Sequence, residues 1–290
     1  MCTKKMKKIR TMRYISLLLC LVFALSANAK NDKKVVILHT NDSHSCIYPL
    51  NKNLADTLLA GRGGYLRRLN MIREERTKNP DILLFDSGDF SQGSTYYTLF
   101  KGDVEVGLMN QMKYDAATIG NHEFDFGLEN MARIFRKCRF PIVCCNYDFT
   151  GTPVEGLVKP YIVIKRDGVK IGVFGVSPEM DGLVSKDNCQ GVKYIDPAQK
   201  AMEVVDVLRK KEKVDVVICL SHLGWDMNGV IDDEDFMSKM RGVDLILGDH
   251  SHTYMKEFEY AKDADGKMIP DNQNGKHALF VGKIEINLKK

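Results

Sequence analysis

No segment of this 290-residue chain repeats another and no tract is of low complexity, which excludes a repeat architecture. Cysteines at zinc-finger spacing are missing, so a thiolate-bound structural metal is excluded as well. Basic residues form no stripe that would track a nucleic-acid backbone. The apolar run 15–25 falls short of a comfortable membrane span. Tryptophan occurs once, as Trp225, close enough to His222 to shield a site there or to fill space.

That short run has another explanation. Lys4, Lys5, Lys7, Lys8, Arg10 and Arg13 precede it, and Ala27-Asn28-Ala29 follows it. A basic segment, a short hydrophobic core and a small-x-small site make a secretory signal peptide over residues 1–29, cleaved after Ala29. Cys20 sits among leucines in mid-run, the wrong place for a lipidation site. Removing the leader's six positive and no negative residues takes the formal charge from +4 to −2. Residues 30–290 are then expected to form one exported domain, periplasmic or secreted, large enough for a substantial α/β core.

Six cysteines remain: Cys46, Cys138, Cys144, Cys145, Cys189 and Cys219. Export makes disulfides permissible, but Cys144, Cys145 and Cys219 lie within apolar runs and are expected to be small buried hydrophobes.

Apolar, β-branched runs alternate with amphipathic segments. Strands are expected near 35–38, 82–85, 116–119, 142–145, 214–220 and 243–247, and helices over 64–78, 128–138 and 197–210. In the first helix Leu66, Leu69 and Ile72 share a face, with Arg67, Arg68, Arg73, Glu74 and Glu75 expected to point outward. This order indicates βαβ units around a mostly parallel sheet. Residues 161–176 alternate on both sides of Asp167-Gly168, a hairpin, so the architecture contains a mixed sheet or two sheets face to face. Residues 278–281 and 284–288 are expected as closing strands, and 262–276 as a loop.

Ligands of open α/β sheets bind beyond the carboxyl ends of the strands. Asp42 and His44 follow the first expected strand, Asp86 and Asp89 the second, and Asn121, His122 and Asp125 the third; His222 follows a later one, and Asp249, His250 and His252 the last. Five of the seven histidines thus fall just past strand ends. Imidazoles, carboxylates and one amide carbonyl, without cysteine, suit divalent Mn, Zn, Fe or Mg. Seven candidate ligands exceed the needs of one tetrahedral ion and suffice for two, the clamp used in phosphate ester hydrolysis. Two such ions with Asp42 and Asp89 would leave about two positive charges to attract a phosphate dianion. Within the stretch TIGNHEFDFG, Gly120 lets the chain leave its strand, Asn121 offers a carbonyl oxygen, and His122 is placed to donate a proton with Asp125 supporting its charged form. Glu123 is expected to be a solvated or helix-start carboxylate.

The motifs TNDSH, DSGD, GNHEFD, SHLG and GDHSH, in this order, resemble the calcineurin-like metallophosphoesterases. The chain is most similar to the catalytic domain of secreted 5′-nucleotidases and 2′,3′-cyclic-nucleotide phosphodiesterases; the likeness runs over residues 34–288 and includes Gly63-Gly64 at the first helix. It implies a four-layer α/β/β/α sandwich of two mixed sheets flanked by helices. It further implies that Asp42, His44 and His252 hold one metal, that Asn121, His222 and His250 hold the other, that Asp89 bridges them, and that His122 and Asp125 form the catalytic dyad. The expected reaction is hydrolysis of nucleotide phosphate monoesters by in-line attack of metal-bound hydroxide, with no nucleic-acid polymer as partner. Two departures stand out. Asp249 occupies a position where the family often has glycine, and the chain ends at Lys290, where two-domain nucleotidases continue into a substrate-binding domain. The alternatives are therefore a catalytic subunit that needs a separate nucleotide-recognition polypeptide, or a hydrolase of cyclic-nucleotide or sulfur esters. Two features fall outside these roles: Asp232 to Asp235 are expected to form a solvated helix start, and Phe124, Phe126, Tyr96 and Tyr97 to pack in the core or at the rim.

Overall fold

A computed structural model describes residues 33–288; the expected leader, with its cleavage site, lies outside them. The strands are β1 (Lys33–Thr40), β2 (Leu83–Asp86), β3 (Ala116–Ala117), β4 (Ile142–Val143), β5 (Tyr147–Asp148), β6 (Val158–Lys159), β7 (Tyr161–Arg166), β8 (Val169–Val176), β9 (Lys193–Tyr194), β10 (Val216–Ser221), β11 (Leu245–Leu247), β12 (Glu259–Lys262), β13 (Met268–Asn272) and β14 (Gly282–Leu288). The helices are α1 (Tyr65–Lys78), α2 (Thr95–Phe100), α3 (Asp103–Met112), α4 (Gly127–Phe135), α5 (Pro197–Asp206), which continues as a π-helical stretch over Val207–Glu212, and α6 (Asp233–Lys239).

Two six-stranded sheets result. One runs β14-β1-β2-β3-β4-β6, with β1, β2, β3, β4 and β6 parallel. The other runs β12-β13-β11-β10-β8-β7 and is mixed, because β7 and β12 are antiparallel to their neighbours. Strands β5 and β9 form a small separate pair. Val35–Ile286 is one compact unit.

Side-chain alternation along the strands explains the layering. Val36, Leu38, Ile82 and Leu84 join a core that also contains Leu69, Ile72, Met109 and Met131 from helices α1, α3 and α4. On the second sheet Phe174, Val176, Val217 and Cys219 join Ala201, Val204 and Phe236 from α5 and α6. The intervening residues Ile37, Leu83, Phe85, Ile171, Val173, Ile218 and Leu220 are equally buried and point away from those helices, so each sheet is apolar on both faces. The sheets approach closely at Gly175, where a Cβ would lie 2.2 Å from the Val143 carbonyl oxygen. Helix, sheet, sheet and helix are thus stacked as expected.

The hairpin forms as the sequence indicates: Asp167 and Gly168 have φ of 48° and 69°, both in the left-handed region that a two-residue turn between β7 and β8 requires. Four expectations are corrected. The loop expected over 262–276 contains β13, paired between β11 and β12, whose Pro270, Asp271 and Asn272 disguise it as polar chain. Residues 278–281 are not a strand; His277 and Ala278 take left-handed φ of 59° and 55°, and pairing begins only at Gly282. Arg68 turns inward, 3% exposed, and donates to Ser43 Oγ, while Leu66 on the supposed apolar face is exposed. Within the acidic run only part is solvated. Asp232 caps α6 by accepting from Asp235 N, but Asp233 is fully buried and accepts from Ser221 Oγ. Burial and the neighbouring Asp271 hold its carboxyl far above the usual range.

Candidate metal centre

All the segments expected to carry function leave the same edge of the two sheets. After β1 the chain turns through Asp42, His44 and Ser45 with φ of 41°, 43° and 48°. Such left-handed conformations are costly for non-glycine residues and persist where surrounding contacts impose them. Those contacts come from the segment after β2: Asp42 N donates to Gly88 O at 3.2 Å, His44 N to Asp89 O at 3.0 Å and Ser45 N to Phe90 O at 3.1 Å. Asp89, His250 and His252 also have positive φ. Five of the candidate polar residues therefore sit in strained backbone, and at Asp42 and His44 these amide bonds hold it in place.

Asp42 Oδ1, His44 Nε2 and His252 Nε2 form a triangle with edges of 3.4, 3.5 and 3.0 Å. Ligands of a tetrahedral ion held at about 2.0–2.1 Å stand about 3.3 Å apart, so three donors at these separations match one divalent cation. A second group gathers Asp89, His222 and His250, with His222 Nε2 at 3.3 Å from Asp89 Oδ2. Asp89 also converges with His44 and His122, which places it between the two groups. Asp42 Oδ1, Asn121 Oδ1 and His222 Nε2 are buried and make no hydrogen bond. Burying such atoms without partners is expensive, and cation ligation satisfies each of them. The donor chemistry and the spacing both fit two divalent ions.

Two glycines make this packing feasible. A Cβ on Gly120 would fall 2.1 Å from Asp89 Oδ1, and one on Gly88 would fall 2.8 Å from both Gly120 N and His222 Nδ1. Gly120 is thus required for space, whereas its φ lies outside the left-handed region, so the expected need for glycine to turn the chain is not what fixes it. His122, one turn on, has its backbone N donating to Asp89 Oδ1 at 2.9 Å and its Nδ1 at 3.1 and 3.2 Å from the two Asp125 oxygens. Its ring lies 5.4 Å from that of His44, at the exposed side of the cluster.

Residues 35–254 match the calcineurin-like phosphoesterase family. The chain belongs to that family. Human 5′-nucleotidase is 31% identical over 272 residues, which are 87% of this chain and 46% of the human protein. The trifunctional nucleotide phosphoesterase YfkN of Bacillus subtilis is 28% identical over 87% of the chain and 18% of its own length. Among solved structures, the Thermus thermophilus 5′-nucleotidase precursor superposes with a TM-score of 0.78 at 27% identity, covering 87% of this chain and 51% of that one. A YfkN structure gives 0.73 at 28% identity over 89% of this chain and 86% of that one. The chain therefore spans less than half the length of the 5′-nucleotidases it matches in sequence.

Seen as a phosphoesterase, the domain has two supporting carboxylates whose roles sequence patterning obscured. Glu123, expected in solvent, is 4% exposed and accepts from Gly120 N at 2.7 Å, Asp89 N at 3.0 Å and Ser91 N at 3.2 Å. It ties the segment after β2 to the segment after β3; burial and the nearby Asp89 push its carboxyl up to about 7. Asp249 neither crowds the rim nor faces solvent. It is fully buried and accepts from His222 Nδ1 at 2.9 Å, Asn41 Nδ2 at 3.0 Å and Asp42 N at 3.4 Å. Burial disfavours a charged His222, yet Asp89 and Asp249 outweigh it and raise the ring well above the usual histidine range. Burial and the positive neighbour His222 instead push His250 down to about 4. Asn41 also donates to Asp42 Oδ2 at 3.1 Å and Gly275 O at 2.8 Å. The amide in TNDSH was its only sequence signal.

The aromatics divide. Phe124 and Tyr97 are buried in the core, whereas Phe126 is exposed, with its ring 5.1 Å from that of Tyr97. Trp225 packs partly buried against the second core, and its backbone N donates to Ser251 Oγ, between His250 and His252, at 3.1 Å. Cys144, Cys145 and Cys219 are buried as expected, and none of the six cysteines among the described residues is in a disulfide. No helix among the described residues is long and apolar enough to cross a membrane.

Proposed function

We propose that this chain is a dinuclear phosphohydrolase that cleaves phosphate monoesters of nucleotides, in the manner named for its 5′-nucleotidase relatives. Asp42, His44 and His252 would hold one divalent cation, Asn121, His222 and His250 the second, with Asp89 shared between them. Bound there, the cations supply positive charge for the phosphoryl oxygens and acidify water. The observation that carries the reading is the triangle of Asp42 Oδ1, His44 Nε2 and His252 Nε2 with no edge above 3.5 Å.

The chain's own groups account for the remainder. Asp249 and the Ser87 carbonyl, both 2.9 Å from His222 Nδ1, fix the proton on that nitrogen and leave Nε2 free to ligate. His122 donates its Nδ1 proton to Asp125 and presents Nε2 at the open side, where it can protonate a leaving alkoxide. Asp125 and Asp89 favour the charged ring against the opposing effect of its burial, so its pKa is raised and it holds that proton more readily near neutral pH.

The test is phosphate release by purified residues 30–290 supplied with Mn or Zn, from adenosine monophosphate and from p-nitrophenyl phosphate. Asp89→Asn should lower kcat/KM by on the order of a hundredfold or more, together with metal content. Wild-type turnover in that variant would refute the assignment. We further propose that the activity is exercised outside the cytoplasm. The leader features support this, and N-terminal sequencing of the exported protein should begin at Lys30.

A further inference from the structure

A lysine stands at the edge of the first group of donors: Lys276 Nζ lies 3.2 Å from His252 Nδ1. It belongs to the segment between β13 and β14, which is fastened on both sides of Lys276 to the chain that follows β1. Asn274 N donates to Asn41 Oδ1, Asn41 Nδ2 donates to Gly275 O and His277 N donates to Asp42 O, each at 2.8 Å. His277 and Ala278 hold left-handed φ of 59° and 55°. The His277 carbonyl presses on Gly63, where a Cβ would fall 2.6 Å from its oxygen. The His277 ring is 6.0 Å from that of His44. Lys276 is thus presented to the donors by a strained segment whose ends are fixed.

The contact with His252 is incompatible with the role proposed for that ring. A lysine ammonium only donates, so Nδ1 must accept from it, and the neutral ring then carries its proton on Nε2. For Nε2 to ligate a cation the proton must sit on Nδ1, where it would face the ammonium donor against donor. Ligation therefore turns Lys276 away from His252. Among the described residues no carboxylate is paired with Lys276, so the freed charge has no acidic partner waiting in the protein. An anionic oxygen beside the cation offers it one, within reach of a flexible four-carbon stem. Resting on the metal centre proposed above, we propose that Lys276 is a phosphate-binding residue that passes from His252 Nδ1 to an oxygen of the substrate's phosphate once His252 ligates. It adds a charge-assisted hydrogen bond to the attraction exerted by the cations.

Two affinities separate this role from a merely structural one. The affinity for Mn, measured by competition with a chromophoric chelator, should stay level or rise in Lys276→Met, because the donor that competes for His252 Nδ1 is gone. Inorganic phosphate titrated calorimetrically into Mn-loaded protein should bind about tenfold more weakly to Lys276→Met, and near the wild-type level to Lys276→Arg. Turnover adds a third readout: kcat/KM for adenosine monophosphate and for p-nitrophenyl phosphate should fall alike by about tenfold in Lys276→Met, mainly through KM, since the two esters share only the phosphate. Weakened Mn binding in Lys276→Met would make the lysine a support of His252 and overturn the proposal. Phosphate affinity that Lys276→Met leaves unmoved would overturn it too. Wild type that binds Mn and phosphate but hydrolyses neither ester would count against the proposed activity, while the two titrations would still decide the role of Lys276.

Discussion

His222 can serve the centre only if its ring is turned so that Nε2 faces the other donors, and Asp249 is the group that turns it. The carboxylate accepts from Nδ1 at 2.9 Å and is itself held by Asn41 Nδ2 at 3.0 Å, so three side chains form one rigid chain behind the ligand. Outer partners of this kind are worth about 10–100-fold in metal affinity. In Asp249→Asn the amide can present its oxygen either to His222 Nδ1 and Asp42 N, which share Oδ2, or to Asn41 Nδ2, which binds Oδ1, and its NH2 group then faces a donor at the other position. We expect metal affinity, measured by competition with a chromophoric chelator, to fall by about 10–100-fold while the circular dichroism spectrum stays native. Unaltered affinity would show that His222 is oriented by its Ser87 contact alone.

At the scale of elements, the turn from Gly120 to Asp125 packs against Asp89 so tightly that one methyl group should separate structure from function. Gly120 φ lies outside the left-handed region, so alanine is conformationally acceptable there, but its Cβ would meet Asp89 Oδ1 at 2.1 Å. Gly120→Ala should therefore fold, displace Asp89, and lose second-site metal and phosphate release by on the order of a hundredfold. Metal analysis showing both ions retained at full activity would contradict this. The same turn illustrates how far sequence alone carries. Hydrophobic periodicity located β1, β2, β10, α1 and the β7–β8 hairpin, and the position of histidines after strand ends pointed to residues that the fold brings together, because both signals are local. What escaped were long-range satisfactions. Glu123 looks like a surface acid until three amide N–H groups from 32 to 34 residues away and from its own turn are seen around it. Strand β13 looks like a loop because Asp271 and Asn272 are buried among other polar groups, and burial of polar residues leaves no periodic apolar mark.

For the whole molecule, the donors come from both sheets. Asp42, His44, Asp89 and Asn121 follow strands of the first, and His222, His250 and His252 follow strands of the second. Ligation at the proposed centre would therefore tie the two halves of the sandwich at one edge and relieve the mutual repulsion of buried Asp42, Asp89 and Asp249. A ligand that binds only the folded state stabilises it by mass action, about 2.7 kcal/mol at a free concentration one hundred times its Kd. For a domain of this size that corresponds to a rise in Tm of roughly 5 °C, taking the usual 2–4 °C per kcal/mol. We expect chelation with excess EDTA to lower Tm by at least that amount and Mn or Zn to restore it. In Asp89→Asn, which lacks the shared carboxylate, the chelator-induced shift should be smaller than in wild type. If removing metal left Tm unchanged while phosphate release disappeared, the ions would be catalytic without joining the sheets, and the strained φ of Asp42, His44, Asp89, His250 and His252 would owe their persistence to protein contacts alone.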